Sequence, residues 1–211
     1  MIRIALTKGR IESKSIELLQ KAGYDCTELL EKGRKLVLKI RNADIEVVLA
    51  KAADVITYIE HGVCDVGIVG EDTIMEHGRW FHEILDLNFG KCKFALAGLK
   101  GKNLYDGYRH IVIASKYPNV TKEFFKQKGL DVEIVKIEGS VELAPILKLS
   151  DAIVDIVETG TTLKENGLEV YEDVAYISTR LIVNTASIKL KKAEIDDFVE
   201  RIYKHIDKSD E

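Results

Sequence analysis

Tryptophan occurs once in this 211-residue chain, proline twice and cysteine three times. Each scarcity removes a class of protein. Cys26, Cys64 and Cys92 are odd in number, widely spaced and without a CxxC pair, which argues against a disulfide framework and against a cysteine-based zinc site. They read as reduced, mostly buried thiols. No low-complexity linker breaks the chain, and no apolar run approaches the length of a membrane span. The first residues, MIRIALTKGR, run straight into a strand pattern with no leader before it, so the expected compartment is the cytoplasm. An excess of basic charge is missing too: the net charge is -4 and the 31 Lys and Arg residues are spread throughout, so neither nucleic acid nor a membrane surface is an expected partner. An anionic ligand would need a local basic site. His77 and His82 stand five apart, off a common helix face and with no acid or cysteine at zinc spacing, which argues against a metal there. Trp80, Phe81 and Phe89 lack the accompanying basic rhythm of a stacking platform and read as core or interface residues.

What is present is a mixed apolar and charged composition, 46% hydrophobic and 31% charged. A chain of this length buries roughly 70% of its unfolded surface, as one domain or as two small lobes. The most informative stretch is AIVDIVETGTTL, beginning at Ala152. Residues 152–157 suit a buried parallel strand with one acid, Asp155, inside it, and residues 159–162 form a glycine-centred turn entering a helix. The amides of Thr159, Gly160, Thr161 and Thr162, with three hydroxyls beside them, would face one concavity and suit a phosphate monoester. Asp155 and Glu158 carry the wrong sign for phosphate and suit neutral hydroxyls or a metal ion. A ribose diol beside a cradled 5'-phosphate meets both demands, although a plain threonine-capped helix with Asp155 as a stray acid satisfies the same pattern.

In chain order, a strand at 2–6 leads through Lys8, Gly9 and Arg10 into a helix over about 12–22, which places a basic turn at a strand's carboxyl end. Arg34 follows, ahead of strands at 36–40 and 45–50. Solvated surface charge is the plain alternative for all three basic residues. A helix over 54–61, capped by Asp54 and stopped by Gly62, precedes a strand at 64–69 and then Gly70, Glu71, Asp72 and Thr73. The same grammar returns from Ser140: without a gap, Val55 aligns with Val141, Asp65 with Asp151 and Thr73 with Thr159. Strands at 93–99, 110–114 and 132–137, a loop over 100–108 and a helix over 120–128 capped by Asn119 complete the middle. Strands at 168–173 and 175–184 and an amphipathic helix over 192–206 finish the chain. The expected architecture is α/β, with two lobes, residues 1–90 plus 175–211 and residues 91–174, and a cleft between them.

Several segments together resemble a known family. ALTKGRI, GRKL at Gly33, ADVITYIEHGVCDVGIVGEDT, IASKYPNVTKEFF and GSVELAPILKLSDAIVDIVETGTTLKENGL are similar, in order and over nearly the whole chain, to ATP phosphoribosyltransferases, which open histidine biosynthesis. Lys148 departs from the family's pattern, which has glycine after the helix. The resemblance implies a fold like type II periplasmic binding proteins. It also implies transfer of the phosphoribosyl group of phosphoribosyl pyrophosphate to N1 of the adenine of ATP, with Mg2+ carried on substrate phosphates. By motif, Glu158, Thr159, Gly160, Thr161 and Thr162 would hold the 5'-phosphate, Asp155 the ribose hydroxyls, and Lys8, Arg10 and Arg34 the pyrophosphate and triphosphate charge. Asp72, Thr73 and Glu142 would lie near the cleft. Because the sequence ends soon after the last helix, with a charged tail at 207–211, it resembles the family's short form: a homodimer that assembles with a regulatory subunit similar to histidyl-tRNA synthetase into a hetero-oligomer. A non-catalytic two-lobed small-molecule sensor is the alternative that the lobed plan alone would fit.

Overall fold

The computed structural model describes residues 1–107 and 110–207. The chain begins with β1 (Ile2–Thr7), α1 (Arg10–Lys21), α2 (Thr27–Leu30), β2 (Val37–Ile40), β3 (Ile45–Ala50), α3 (Ala52–Glu60), β4 (Val66–Gly70), α4 (Glu71–His77) and β5 (Phe81–Asp86). It continues with β6 (Cys92–Leu99), β7 (Val112–Ser115), α5 (Pro118–Gln127), β8 (Glu133–Lys136), α6 (Leu143–Ile146), β9 (Ala152–Val157), α7 (Thr161–Glu165) and β10 (Leu168–Ile177). The last elements are β11 (Thr179–Asn184), α8 (Ser187–Leu190) and α9 (Lys192–Tyr203). They form two compact units, one of Met1–Gly90 with Ser178–Glu211 and the other of Lys91–Ile177.

The first unit is built on a six-stranded sheet ordered β2-β3-β1-β4-β11-β5, with β1 parallel to both β3 and β4. Strands covered on both faces must be apolar on both, and Ile4, Ala5 and Leu6 are each fully buried. One face carries Ile4, Leu6, Leu19, Ile68 and Phe198, and the other Ala5, Val55, Ile59, Val69 and Ile182. The second unit has a five-stranded sheet ordered β10-β6-β9-β7-β8, with β9 parallel to β7 and antiparallel to β6. Period-two alternation sends Ala152 and Val154 to the side of Phe94 and Phe125, and Ile153 to the side of Val141 and Leu163.

The internal likeness seen in the sequence is realised in backbone bonding. Asp65 stands just before β4, gives its amide to the Arg3 carbonyl (2.8 Å) and accepts the Arg3 amide on its carboxylate (2.8 Å). Asp151, just before β9, exchanges the same two bonds with Val112, at 2.8 Å and 2.9 Å. Each acid thereby starts a central strand by pinning the first residues of its parallel neighbour. The Thr7 hydroxyl then reaches the Ile68 carbonyl, and the Ser115 hydroxyl the Val154 carbonyl.

Several local expectations are corrected. α3 is capped by extended Lys51, which puts Asp54 in the first turn and not at the cap. α5 begins at Pro118 with Tyr117 as its cap, in place of Asn119, because proline's fixed φ suits the first helical position. The crossing back to the first unit falls at Ser178, so residues 175–177 continue β10. Phe81 belongs to an edge strand that its polar neighbours concealed, and Trp80 is exposed. The last residue of the expected loop at 100–108 and residues 208–211 of the charged tail lie outside the described residues.

Candidate functional site

In the second unit, β9 delivers Asp155 near its carboxyl end, two residues before the strand stops at Val157. Exposed Glu158 and Thr159 follow, and Gly160 adopts a left-handed conformation (φ 74°) that caps α7. A Cβ at Gly160 would meet nothing closer than Val157 Cγ1 at 3.8 Å, so glycine is required there by backbone angle and not by crowding. Thr159 and Thr161 share a hydroxyl contact of 3.0 Å, and the Thr161 amide donates to the Thr159 hydroxyl at a long 3.4 Å. α7 has only five residues, so its dipole is short and its unpaired backbone donors are those of a single turn. The expected helix is present in reduced form.

Asp155 is held away from water, and that burial pushes its carboxyl up to about 6, with Glu142 adding to the rise and Lys116 opposing it. The Ile156 amide donates to one carboxyl oxygen at 2.8 Å and orients the group, while the other oxygen has no hydrogen bond among the described residues. Glu142 caps α6 and is half-buried. The structure therefore brings Asp155, Glu142 and residues 158–162 into one region of the second unit. It adds Lys116, exposed immediately after β7, which the sequence reading missed. Ser115-Lys116 repeats Thr7-Lys8 at the end of a central parallel strand, and that signal was available in the sequence.

The first unit carries the remaining candidates. Lys8 and Arg10 flank Gly9, whose φ of 99° turns β1 into α1, and the Lys8 amide donates to the Ala50 carbonyl at the end of β3. Lys51, exposed after that strand, is a second basic residue that strand-end logic could have found. Arg34 is exposed in the turn before β2. Asp72 and Thr73 sit in the first turn of α4, where Thr73 is buried and Asp72 folds back over Gly70. Glu71 accepts from the Ser178 amide and from Arg180 (2.8 Å), so this turn is filled by its own side chains. Among the described residues no three His, Cys, Asp or Glu side chains gather to hold a metal ion, and no helix is long and apolar enough to cross a membrane.

A family profile described as HisG: ATP phosphoribosyltransferase matches residues 51–204. An ATP phosphoribosyltransferase of Clostridium kluyveri is 59% identical over 201 residues, covering 95% of this chain and 92% of that protein. The chain belongs to the ATP phosphoribosyltransferase family. A Clostridium acetobutylicum ATP phosphoribosyltransferase is 56% identical over 207 residues, 98% of this chain and 96% of its own. Among solved structures, the ATP phosphoribosyl transferase (HisG:HisZ) complex from Thermotoga maritima superposes with a TM-score of 0.83 at 36% identity, covering 98% of both chains. The Escherichia coli aliphatic sulphonate binding protein SsuA matches with a TM-score of 0.60, over 97% of this chain and 72% of its own. At 14% identity that likeness shows only the α/β fold of type II periplasmic binding proteins, and lends nothing to a sensor reading of this ATP phosphoribosyltransferase family member.

Proposed function

We propose that this chain performs the family's reaction, moving the phosphoribosyl group of phosphoribosyl pyrophosphate to adenine N1 of ATP, with the turn after β9 as the sugar-phosphate site. The observation that carries the reading is Asp155: an acid raised to about 6 by burial, at a strand end, directly before an open glycine turn. A merely structural acid is normally surrounded by donors.

In this reading the amides and hydroxyls of residues 159–162 hold the 5'-phosphate. The free oxygen of Asp155 accepts from the ribose hydroxyls, with Glu158 beside it. The C1–oxygen bond to pyrophosphate breaks as the C1–N1 bond forms, so positive charge grows on the sugar and negative charge on the leaving group. Lys8, Arg10 and Arg34 receive the latter, with Lys51 at the same sheet edge, and Asp72, Thr73 and Glu142 remain candidates for contact with ATP. Adenine N1 carries no proton before attack, so the protein must position it and needs no strong base. No three-ligand cluster occurs among the described residues, so a metal ion here would take most of its ligands from substrate phosphates and water. Magnesium, the ion we assign to the family's metal requirement, would travel on substrate phosphates, as it commonly does, and no step here depends on it.

The Thermotoga complex supports assembly with a HisZ-type subunit in a hetero-oligomer. The family resemblance adds that such a partner would be similar to histidyl-tRNA synthetase and that this chain would enter the assembly as a homodimer. We assign the work to the cytoplasm, in keeping with charged, phosphorylated substrates. The test mixes ATP, phosphoribosyl pyrophosphate and magnesium with the protein and follows the N1-substituted adenine chromophore. No chromophore from folded protein, alone and with the HisZ-type subunit, would end the reading.

A further inference from the structure

We propose that Glu12, acting through Lys32, is a positioning residue that fastens the Arg34 loop to the turn bearing Lys8 and Arg10. The proposal rests on the assignment of those three basic residues to the pyrophosphate. Glu12 lies in the first turn of α1 and is 6% exposed. One of its carboxyl oxygens accepts from the Gly9 amide (3.3 Å) and the other from the Lys32 ammonium. Lys32 is itself half-buried, and its carbonyl accepts from the Lys35 amide (3.0 Å), which closes the turn through Gly33 (φ 55°) and Arg34.

The chemistry explains why an acid belongs here. A buried carboxylate beside an intended anion site repels that anion unless a cation takes it up. Lys32 does so, and Glu12 is thereby free to order two strands of chain that are twenty residues apart in sequence. Beyond the Leu36 carbonyl, which accepts from the Leu49 amide (2.8 Å), the loop has little else to hold it. Leu30 and Leu36 at its ends are exposed at 62% and 53%, and Lys32 supplies the one side-chain hydrogen bond or ion pair from residues 31–36 among the described residues. A guanidinium on an unfastened loop loses conformational freedom when a phosphate binds, whereas one on a fastened loop has lost it already. Glu12 itself sits at the positive end of α1, where a carboxylate is favoured and stabilises the turn before any ligand arrives.

The experiment is a double-mutant cycle read by calorimetry with inorganic pyrophosphate and magnesium on the full chain. Lys32→Gln should weaken pyrophosphate binding about tenfold and lower Tm, because the Glu12 carboxylate is left without its cation, and Lys32→Arg should restore most of both. Glu12→Gln, which keeps an acceptor for Gly9 but discharges the pair, should match Lys32→Gln. Glu12→Gln combined with Arg34→Ala, which leaves no bare carboxylate beside the site, should bind no worse than Arg34→Ala alone, because the pair works through Arg34. Additive losses, or wild-type affinity in Lys32→Gln, would overturn the positioning role. Wild-type affinity in Arg34→Ala would instead overturn the site assignment beneath it.

Discussion

Asp65 and Asp155 are acids set at opposite ends of a central strand, one in each unit, and their surroundings are opposite in kind. Burial alone would raise both. At Asp65, hydrogen bonds from Lys191 (2.8 Å), Ser187 (2.7 Å) and the Arg3 amide overcome it and hold the carboxyl below its ordinary range. At Asp155 one backbone amide is the only donor among the described residues, and burial wins. The turns beyond the strands repeat the contrast. The one after β4 is filled by Glu71 and Asp72 folding onto their own unit, and the one after β9 leaves Thr159, Thr161 and Thr162 exposed. One plan has been spent on stability in the first unit and left incomplete in the second. An incomplete polar site is where a ligand adds most.

The contrast breaks most sharply at the glycine. Gly160→Val forces a β-branched residue to φ 74° and should weaken phosphoribosyl pyrophosphate binding by at least a hundredfold while ATP binding partly survives. Calorimetry with each substrate separates the two. In the first unit, Asp65→Asn should cost about 3 kcal/mol of stability, since it discharges the buried partner of Lys191. Denaturant unfolding measures that loss, and the folded fraction should keep its KM values.

Asp155→Asn should do the reverse. Losing charge-assisted bonds to the diol should lower kcat/KM ten- to a hundredfold, about 1.5 to 3 kcal/mol. The same change should stabilise the fold. A carboxyl raised from 3.8 to about 6 binds more protons folded than unfolded between those values, so its contribution to stability falls as pH rises through that window. Removing it at pH 7 should therefore return up to about 3 kcal/mol, an advantage that fades between pH 6 and 4. Thermal melts of both proteins across that range check the sign. In the wild type, kcat/KM should drop about tenfold per unit below pH 6, and a flat profile down to pH 5 would remove Asp155 from the site.

Much of this was legible because strand ends announce themselves. Apolar runs closing on TKG, GED and ETG marked the places where α/β sheets bind ligands, and the spacing from Asp65 to Asp151 anticipated a bonding pattern that the backbone repeats. What escaped depends on neighbours that are distant in sequence. The Glu12–Lys32 pair looks like two ordinary surface charges, and the rise at Asp155 comes from burial that no local window reports. The basic turn of Lys8 and Arg10 was visible, whereas the group that orders it was not. Lys148 lies between these cases. The sequence shows lysine where the family has glycine, and the structure supplies the reason, a φ of 60°. Lys148→Gly should accordingly raise stability by about 1 kcal/mol or less, readable as a small increase in Tm.

The placement of β11 bears on how the chain folds. Among the described residues β5 pairs with no strand but β11, and β11 is inserted between β5 and β4. On the ribosome, residues 91–177 emerge as one uninterrupted unit able to condense by itself, while the first unit waits with β4 unsheathed and β5 unmated until residues 179–184 appear. Synthesis thus imposes an order in which the inserted unit matures before the unit that hosts it, and the apolar edge of β4 is the segment a chaperone would meet first.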